Sequence, residues 1–185
     1  MNSHPPWMTA PPIDPDAIRE QLETLHAESF AWALTCCAFD PAEAEDVLQM
    51  SYLKILDNRA SYGGHSAFKT WLFGVIRFTA REQRRWAWLR SWRQTTLDAA
   101  AQRPSMEMRP DQAAARSKAI ARVQTACERL PARQREVIML VFHHELALDE
   151  AAGVMGVSPG SARKHYQRGK EQLRALLGPH FTKGK

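Results

Sequence analysis

The stretch from Leu148 to Gln167 carries the residue types that can read duplex DNA. Arg163, Lys164, Gln167 and Arg168 present long hydrogen-bond donors at helical spacing. Arginine grips guanine through two acceptors and glutamine does the same with adenine, each discriminating by roughly 1–3 kcal/mol. Gly160 and Ser161 leave room at a helix start, where free backbone N–H groups can meet a phosphate. A second constellation lies upstream. Trp71, Arg77, Phe78, Arg81, Arg84 and Arg85 combine aromatic and basic groups. Such a surface suits single-stranded DNA, where stacking of a base on an aromatic ring is worth roughly 1–3 kcal/mol.

Both sets need elements to position them. In the first, Ala151, Ala152 and Met155 give one helix a buried face, and small Ala152 allows a close crossing. Gly156 supplies the positive φ of a tight turn. Val157 then plugs the turn, Ser158 caps the next helix and Pro159 fits its first position. On that second helix Ala162, Tyr166, Gly169, Leu173 and Leu176 share one side, apart from the donors. A recognition helix needs this separation of a buried face from a reading face. Ala147 at the preceding cap and Gly153 in mid-helix count against the pattern, and a helical hairpin with a solvated basic face is the plainer alternative.

For the aromatic–basic set, periodicity leaves two readings open. Trp71 and Phe73 either line a core or serve DNA, with the arginines solvated or paired accordingly. Trp86, Trp88 and Trp92 lie too close together for all to face one core.

Helical periodicity dominates the remainder, without convincing period-two alternation. One helix is expected from Pro15, with Ile18, Leu22, Leu25, Phe30 and Leu34 as its stripe. Asp40-Pro41 caps a second, which turns Ala44, Val47, Leu48, Leu53, Ile55 and Leu56 inward and ends near Asn58. After a turn at residues 62–65, Ser66 caps a long third helix. The pattern fails from Arg93, and residues 94–112 read as a linker, since so long a structureless stretch is unusual inside one compact domain. A helix near Asp111 to Arg129 follows, then one burying Val137, Ile138, Leu140, Val141 and Phe142.

The expected fold is therefore all-α: two small helical domains, residues 14–93 and 113–178, on a flexible linker, with tails at 1–13 and 179–185. Fully extended, the linker could span at most about 60–70 Å at roughly 3.3–3.6 Å per residue.

Net charge is +5 and the pI about 9.4, which makes an anionic partner plausible. The distribution says more. Asp14, Asp16, Glu20, Glu23, Glu28, Asp40, Glu43, Glu45, Asp46 and Asp57 make the front acidic. Lys69, Arg77, Arg81, Arg84, Arg85, Arg90 and Arg93, against Glu82 alone, make the following helix basic. Two surfaces with two partners are implied. Cys36, Cys37 and Cys127 have no framework spacing, and a reducing compartment fits best. No run approaches the roughly 18 apolar residues of a membrane span, and the proline-rich start lacks a signal-peptide core. No phosphate-cradling glycine loop, nucleophile elbow or paired-cysteine zinc pattern occurs, so an enzyme is disfavoured and no cofactor is expected. His143-His144-Glu145 reads as a polar helix end rather than a metal site. A stand-alone repressor using the C-terminal helix pair is the remaining rival.

Three segments resemble one family in order. Ala44–Gln49 followed by Tyr52-Leu53-Lys54 is similar to the helix by which sigma factors grip the clamp of core RNA polymerase. Ser66–Leu72 resembles the start of the helix that melts the minus-ten element, and Leu130–Arg135 with the helix pair resembles the domain that reads the minus-thirty-five element. The lack of further domains points to the extracytoplasmic-function class of the sigma-70 superfamily. The resemblance implies polymerase contacts at Asp46, Gln49, Met50, Leu53 and Lys54. It implies minus-ten contacts from the loop Arg59 to His65, including Ser61 and Tyr62, with Trp71, Arg77, Phe78, Arg81, Arg84 and Arg85. Arg163, Lys164, Gln167 and Arg168, with Ser161 on phosphates, would read the upstream element, about two DNA turns of about 34–36 Å away. Met50, where the family usually has an acid, and Phe78, in place of a common asparagine, depart from the pattern. An anti-sigma factor as inhibitor, a cytoplasmic location with sequestration at the inner membrane through that inhibitor, and no membrane insertion or small-molecule substrate complete what the resemblance implies.

Overall fold

The computed structural model describes residues 15–93, 122–123 and 125–178. Among these, all regular structure is helical. The front half consists of α1 (Pro15–Thr24), α2 (His26–Cys36), α3 (Pro41–Leu56) and α4 (Phe68–Arg93). The rear half contains helical residues 125–128, then α5 (Ala132–Phe142), α6 (Leu148–Met155) and α7 (Pro159–Leu177). The expected linker at 94–112 and most of the helix expected near Asp111 to Arg129 lie outside the described residues.

Local chemistry sets the boundaries. The Asp40 carboxylate accepts the N–H groups of Ala42 and Glu43 at 3.0 and 3.1 Å, and Pro41 occupies the first helical position of α3. The single helix expected from Pro15 is two, broken at Leu25, whose ψ of 6° departs from helical geometry. Ser66 does not cap α4. Its hydroxyl bonds to the Ala67 carbonyl, and the first helical hydrogen bond runs from the Trp71 N–H to Ala67.

In the front half α2, α3 and α4 bury Trp32, Val47, Leu72, Phe73 and Ile76. The Trp32 indole stacks on Phe73 at 5.7 Å between centroids and donates its N–H to the Phe73 carbonyl at 2.9 Å. That bond satisfies the one polar group a buried tryptophan carries. The rear half buries Val137, Leu140, Ala151, Met155 and Ala162.

The two halves do not stand apart. Helices α2 and α4 pack against α5 and α6, and the apolar core runs through both. Among the described residues, four ties cross between them. Arg77 on α4 donates from Nε to Glu136 Oε2 on α5 at 3.0 Å, with both side chains almost fully buried. Lys69 Nζ donates to the His144 carbonyl at 3.0 Å, and Thr70 Oγ1 to Glu150 at 3.4 Å. At the fourth, the Arg135 guanidinium lies 5.8 Å from the centroid of the Phe39 ring.

Candidate nucleic-acid and polymerase interfaces

The helix pair α6–α7 forms as its local sequence requires. Gly156 closes α6 with φ 61° and ψ 45°, the left-handed conformation that a Cβ disfavours. Ser158 accepts the Ser161 N–H at 3.2 Å and Pro159 opens α7. Ala147 gives α6 no side-chain cap, yet Glu150 compensates by accepting the Ala147 N–H at 2.9 Å. Ala162 and Gly169 are the buried residues of α7. A Cβ built on Gly169 would stand 3.0 Å from Ile138 Cγ1, so α7 crosses α5 as closely as backbone allows.

On the opposite side of α7, Arg163, Lys164, Gln167 and Arg168 are all exposed, while Ser161 is half-buried beside its cap. Arg163 reaches Asp149 of α6 at 3.9 Å, a surface contact worth little in solvent. Lys170 turns aside onto the Tyr166 ring, 4.5 Å from its centroid, and that ring stacks on Phe142. Phe142, expected in the core, is exposed because it closes the last turn of α5 on the outer side.

On α3 the helix presents a second face. Asp46, Gln49, Met50 and Leu53 are exposed together, and Leu56 extends the row. Leu53 and Leu56, expected inward, are 53% and 50% exposed. The inward stripe is Ala44, Val47, Leu48, Ser51 and Ile55, one full face of a 3.6-residue helix. Leu53 and Leu56 fall outside that arc. Lys54 leaves this face as well: its ammonium pairs with Glu82, bonds Thr79 at 3.2 Å and lies over the Phe78 ring. It ties α3 to α4.

The loop from Arg59 to His65 rests on an aromatic floor. Tyr62 packs against Phe68 and Trp71, with centroids 5.2 and 5.3 Å apart, and its hydroxyl donates to the Ser66 carbonyl. Ser61 donates to Asn58 at 3.0 Å; Arg59 pairs loosely with Asp57, and His65 is exposed. Trp71 is buried beneath this loop and Phe73 beneath Trp32, so the core reading holds for both rings. Along α4 the arginines diverge. Arg81, Arg84 and Arg85 are exposed, Arg84 also donating to the Cys36 carbonyl at 3.0 Å. Arg77 is buried against Glu136 and presents nothing to a strand in this arrangement. Trp86, Trp88 and Leu89 are exposed near the far end of α4.

The titratable groups follow burial. The Cys36 thiol is pushed up and the Cys37 thiol to about 12, which keeps both protonated and inert. His144, read from sequence as part of a polar helix end, is 2% exposed. Its ring contacts Trp32 and Phe73, and burial depresses its pKa to about 3. Nothing in the local sequence marks this, because the box around it comes from the other half.

Comparison with known proteins agrees with this layout. Residues 25–95 match the Sigma-70 region 2 family, and residues 120–173 match Sigma-70, region 4. The sigma factor CarQ of Myxococcus xanthus is 30% identical over 161 residues, 86% of this chain and 88% of the relative. The ECF sigma factor SigX of Bacillus subtilis is 28% identical over 141 residues, 73% of this chain and 71% of the relative. Among solved structures, the sigma factor RpoE in complex with the anti-sigma factor NepR from Bartonella quintana shares the fold, with a TM-score of 0.64 at 22% identity. That match covers 88% of this chain and 97% of RpoE. CnrH, solved with the cytosolic domain of CnrY, gives 0.57 at 23% identity over 85% and 86% of the two chains.

The chain belongs to the sigma-70 family of transcription initiation factors, and within it to the extracytoplasmic-function class. It is a promoter-specificity factor for core RNA polymerase and not an enzyme.

Proposed function

We propose that the exposed donors of α7 read the upstream promoter element in the major groove, while the front half engages polymerase and the downstream element. The observation that carries this reading is the clean division of α7. Ala162 and Gly169 are buried against the bundle, and Arg163, Lys164, Gln167 and Arg168 are exposed on the solvent side, with Arg163 making a surface contact to Asp149. A helix docked in a groove needs that division. Ser161 at the start of α7 supports a phosphate contact.

On α3, the exposed row Asp46, Gln49, Met50 and Leu53 is the docking face for the polymerase clamp. Met50 and Leu53 make it more apolar than charge alone would give, and apolar area at an interface centre contributes most of the affinity. Lys54 supports that face from beneath through Glu82. The loop Arg59–His65 holds a base extruded from the minus-ten element, with Ser61, Tyr62 and His65 at its rim and Phe78 behind Lys54. Extrusion costs a few kcal/mol, so a fitted pocket makes melting selective. Arg81, Arg84 and Arg85 hold phosphates along the strand, and Arg77 joins them only after it is released from Glu136.

An anti-sigma factor is the expected inhibitor, since RpoE of Bartonella quintana, which shares this fold, is in complex with the anti-sigma factor NepR. Exposed Trp86 and Trp88 offer it apolar anchors. No described helix is long and apolar enough to cross a membrane, so any sequestration at the inner membrane would act through that partner. Run-off transcription tests the assignment. The chain added to core polymerase should give promoter-specific transcripts, and Lys164→Ala with Gln167→Ala should abolish them while leaving core binding intact. Unaltered promoter choice in that double variant would overturn the assignment of α7.

A further inference from the structure

The contact between the halves has the construction of a switch. His144 follows the last turn of α5 and inserts into the front half, where it lies edge-on to Trp32 at 5.9 Å and to Phe73 at 4.7 Å. Among the described residues, neither of its ring nitrogens finds a hydrogen-bond partner. An imidazole buried without partners in an aromatic box is held there by packing alone, and only in its neutral form. Elsewhere in the contact between the halves, Arg77 is sealed against Glu136, whose carboxylate also receives Arg133 at 3.5 Å. The same closure takes Arg77 out of the basic face of α4.

We propose that this chain rests in a self-closed state, the rear half latched on the front half by His144 in the Trp32–Phe73 box and by the Arg77–Glu136 pair, and that proton uptake by His144 opens it. The role of opening rests on the promoter-binding reading above, in which Arg77 and the two DNA-reading surfaces act on separated elements. The latch itself is a property of the chain alone.

The charged groups around His144 oppose its protonation. Lys69 on α4 donates to the His144 carbonyl, and His143 on α5 stacks edge-on against the ring at 4.7 Å. Of the nearby acids, Glu28 on α2 pairs with Lys69, Glu136 on α5 with Arg77, and Glu150 on α6 with the Ala147 N–H and Thr70, while Glu145, next along the chain, is exposed to solvent. Burial first, then the charges of His143 and Lys69, lower the pKa from 6.5 to about 3. A depressed pKa means that closure is at full strength above the open-state value and weakens as pH falls. From these two values, the closed-to-open ratio falls about 25-fold between pH 7 and about pH 5. Glu136 acts in the opposite sense, because burial pushes its carboxyl up, so His144 must be isolated by substitution. A shift of that size turns a predominantly closed chain into a predominantly open one where closure outweighs opening by about tenfold at neutral pH.

Small-angle scattering of the full chain, without polymerase, tests the latch. The radius of gyration is followed from about pH 7.5 to about pH 5, with far-UV circular dichroism as the check that helices persist. The wild type is expected to be compact at the upper end and to expand by the lower end at constant helicity. His144→Phe, which fills the box and cannot take a proton, is expected to stay compact throughout. Should His144→Phe lose its helices, His144→Met takes its place. Expansion of the substituted chain along the wild-type curve, a wild type already extended at the upper end, or one still compact at the lower end would each overturn the proposal. Loss of promoter-directed transcription with an intact scattering transition would instead sink the promoter-binding reading and leave the latch standing.

Discussion

Gly169 offers a sharp test of how α7 is held in position to read DNA. A methyl at this site would meet Ile138 Cγ1 at 3.0 Å, and Gln134 Cβ and its carbonyl oxygen at 3.4 Å. Alanine in place of glycine within a helix gains about 1 kcal/mol from propensity. Overpacking of a filled site costs about 1–3 kcal/mol. Ile138 is buried and the Gln134 carbonyl belongs to the α5 backbone, so neither can retreat freely. Gly169→Ala should therefore be neutral to about 2 kcal/mol destabilising, the difference of those two effects. Gly169→Leu carries three more carbons into the same wall and should cost more than about 3 kcal/mol, lowering the melting temperature by at least about 6 °C for a chain of this size. A double-mutant cycle adds rigour. Ile138→Ala alone costs about 2–5 kcal/mol by cavity formation, yet paired with Gly169→Leu it should be milder than the sum, because each relieves the other. Thermal unfolding of the four chains reads the coupling. Strict additivity, or a Gly169→Leu chain that melts with the wild type, would refute the close crossing of α5 and α7.

Other residues give separate tests. Gln167→Ala should lose about 1–3 kcal/mol on the preferred upstream sequence and almost nothing on unrelated duplex, as competition binding by holoenzyme would show. Lys164→Ala should relax discrimination at the base it reads by about 1–3 kcal/mol, seen as a flattened ranking of competing upstream sequences in the same assay. Leu53→Glu on the exposed row of α3 should leave the melting temperature within a degree or two and lower affinity for core polymerase at least tenfold in a titration. Asp40→Ala removes two capping bonds from α3 and should cost about 1 kcal/mol in chemical denaturation, with no change in promoter choice.

Much of the fold could be read locally. Asp40-Pro41, Gly156 and Ser158-Pro159 each act through their own backbone and immediate neighbours, so their caps and turns are legible before any packing is known. The division of α7 into a buried face and an exposed face of long donors was legible for the same reason, as small residues and long donors separate at helical spacing. Misreadings arose where two apolar stripes compete. Leu53 and Leu56 suit a buried helix as well as Val47 and Ile55 do, and only the position of α2 and α4 decides which stripe is covered. Phe142 reads like its buried neighbours but ends α5 on the open side.

The sequence by itself determined the helices, most of their caps, the order of the two halves and, within the front half, the division between an acidic start and a basic α4, because short-range sterics, hydrogen bonding and composition settle these. Tertiary structure alone decided the fate of Arg77, Lys54 and His144. Arg77 looks like one of a row of solvated arginines until Glu136, 59 residues further on, seals it. Lys54 looks like a surface lysine until Glu82 and Thr79 draw it inward, and His144 like a polar helix end until Trp32 and Phe73 enclose it. Burial is a property of what arrives from elsewhere in the chain, and for an ionisable group it is burial that sets both charge and role.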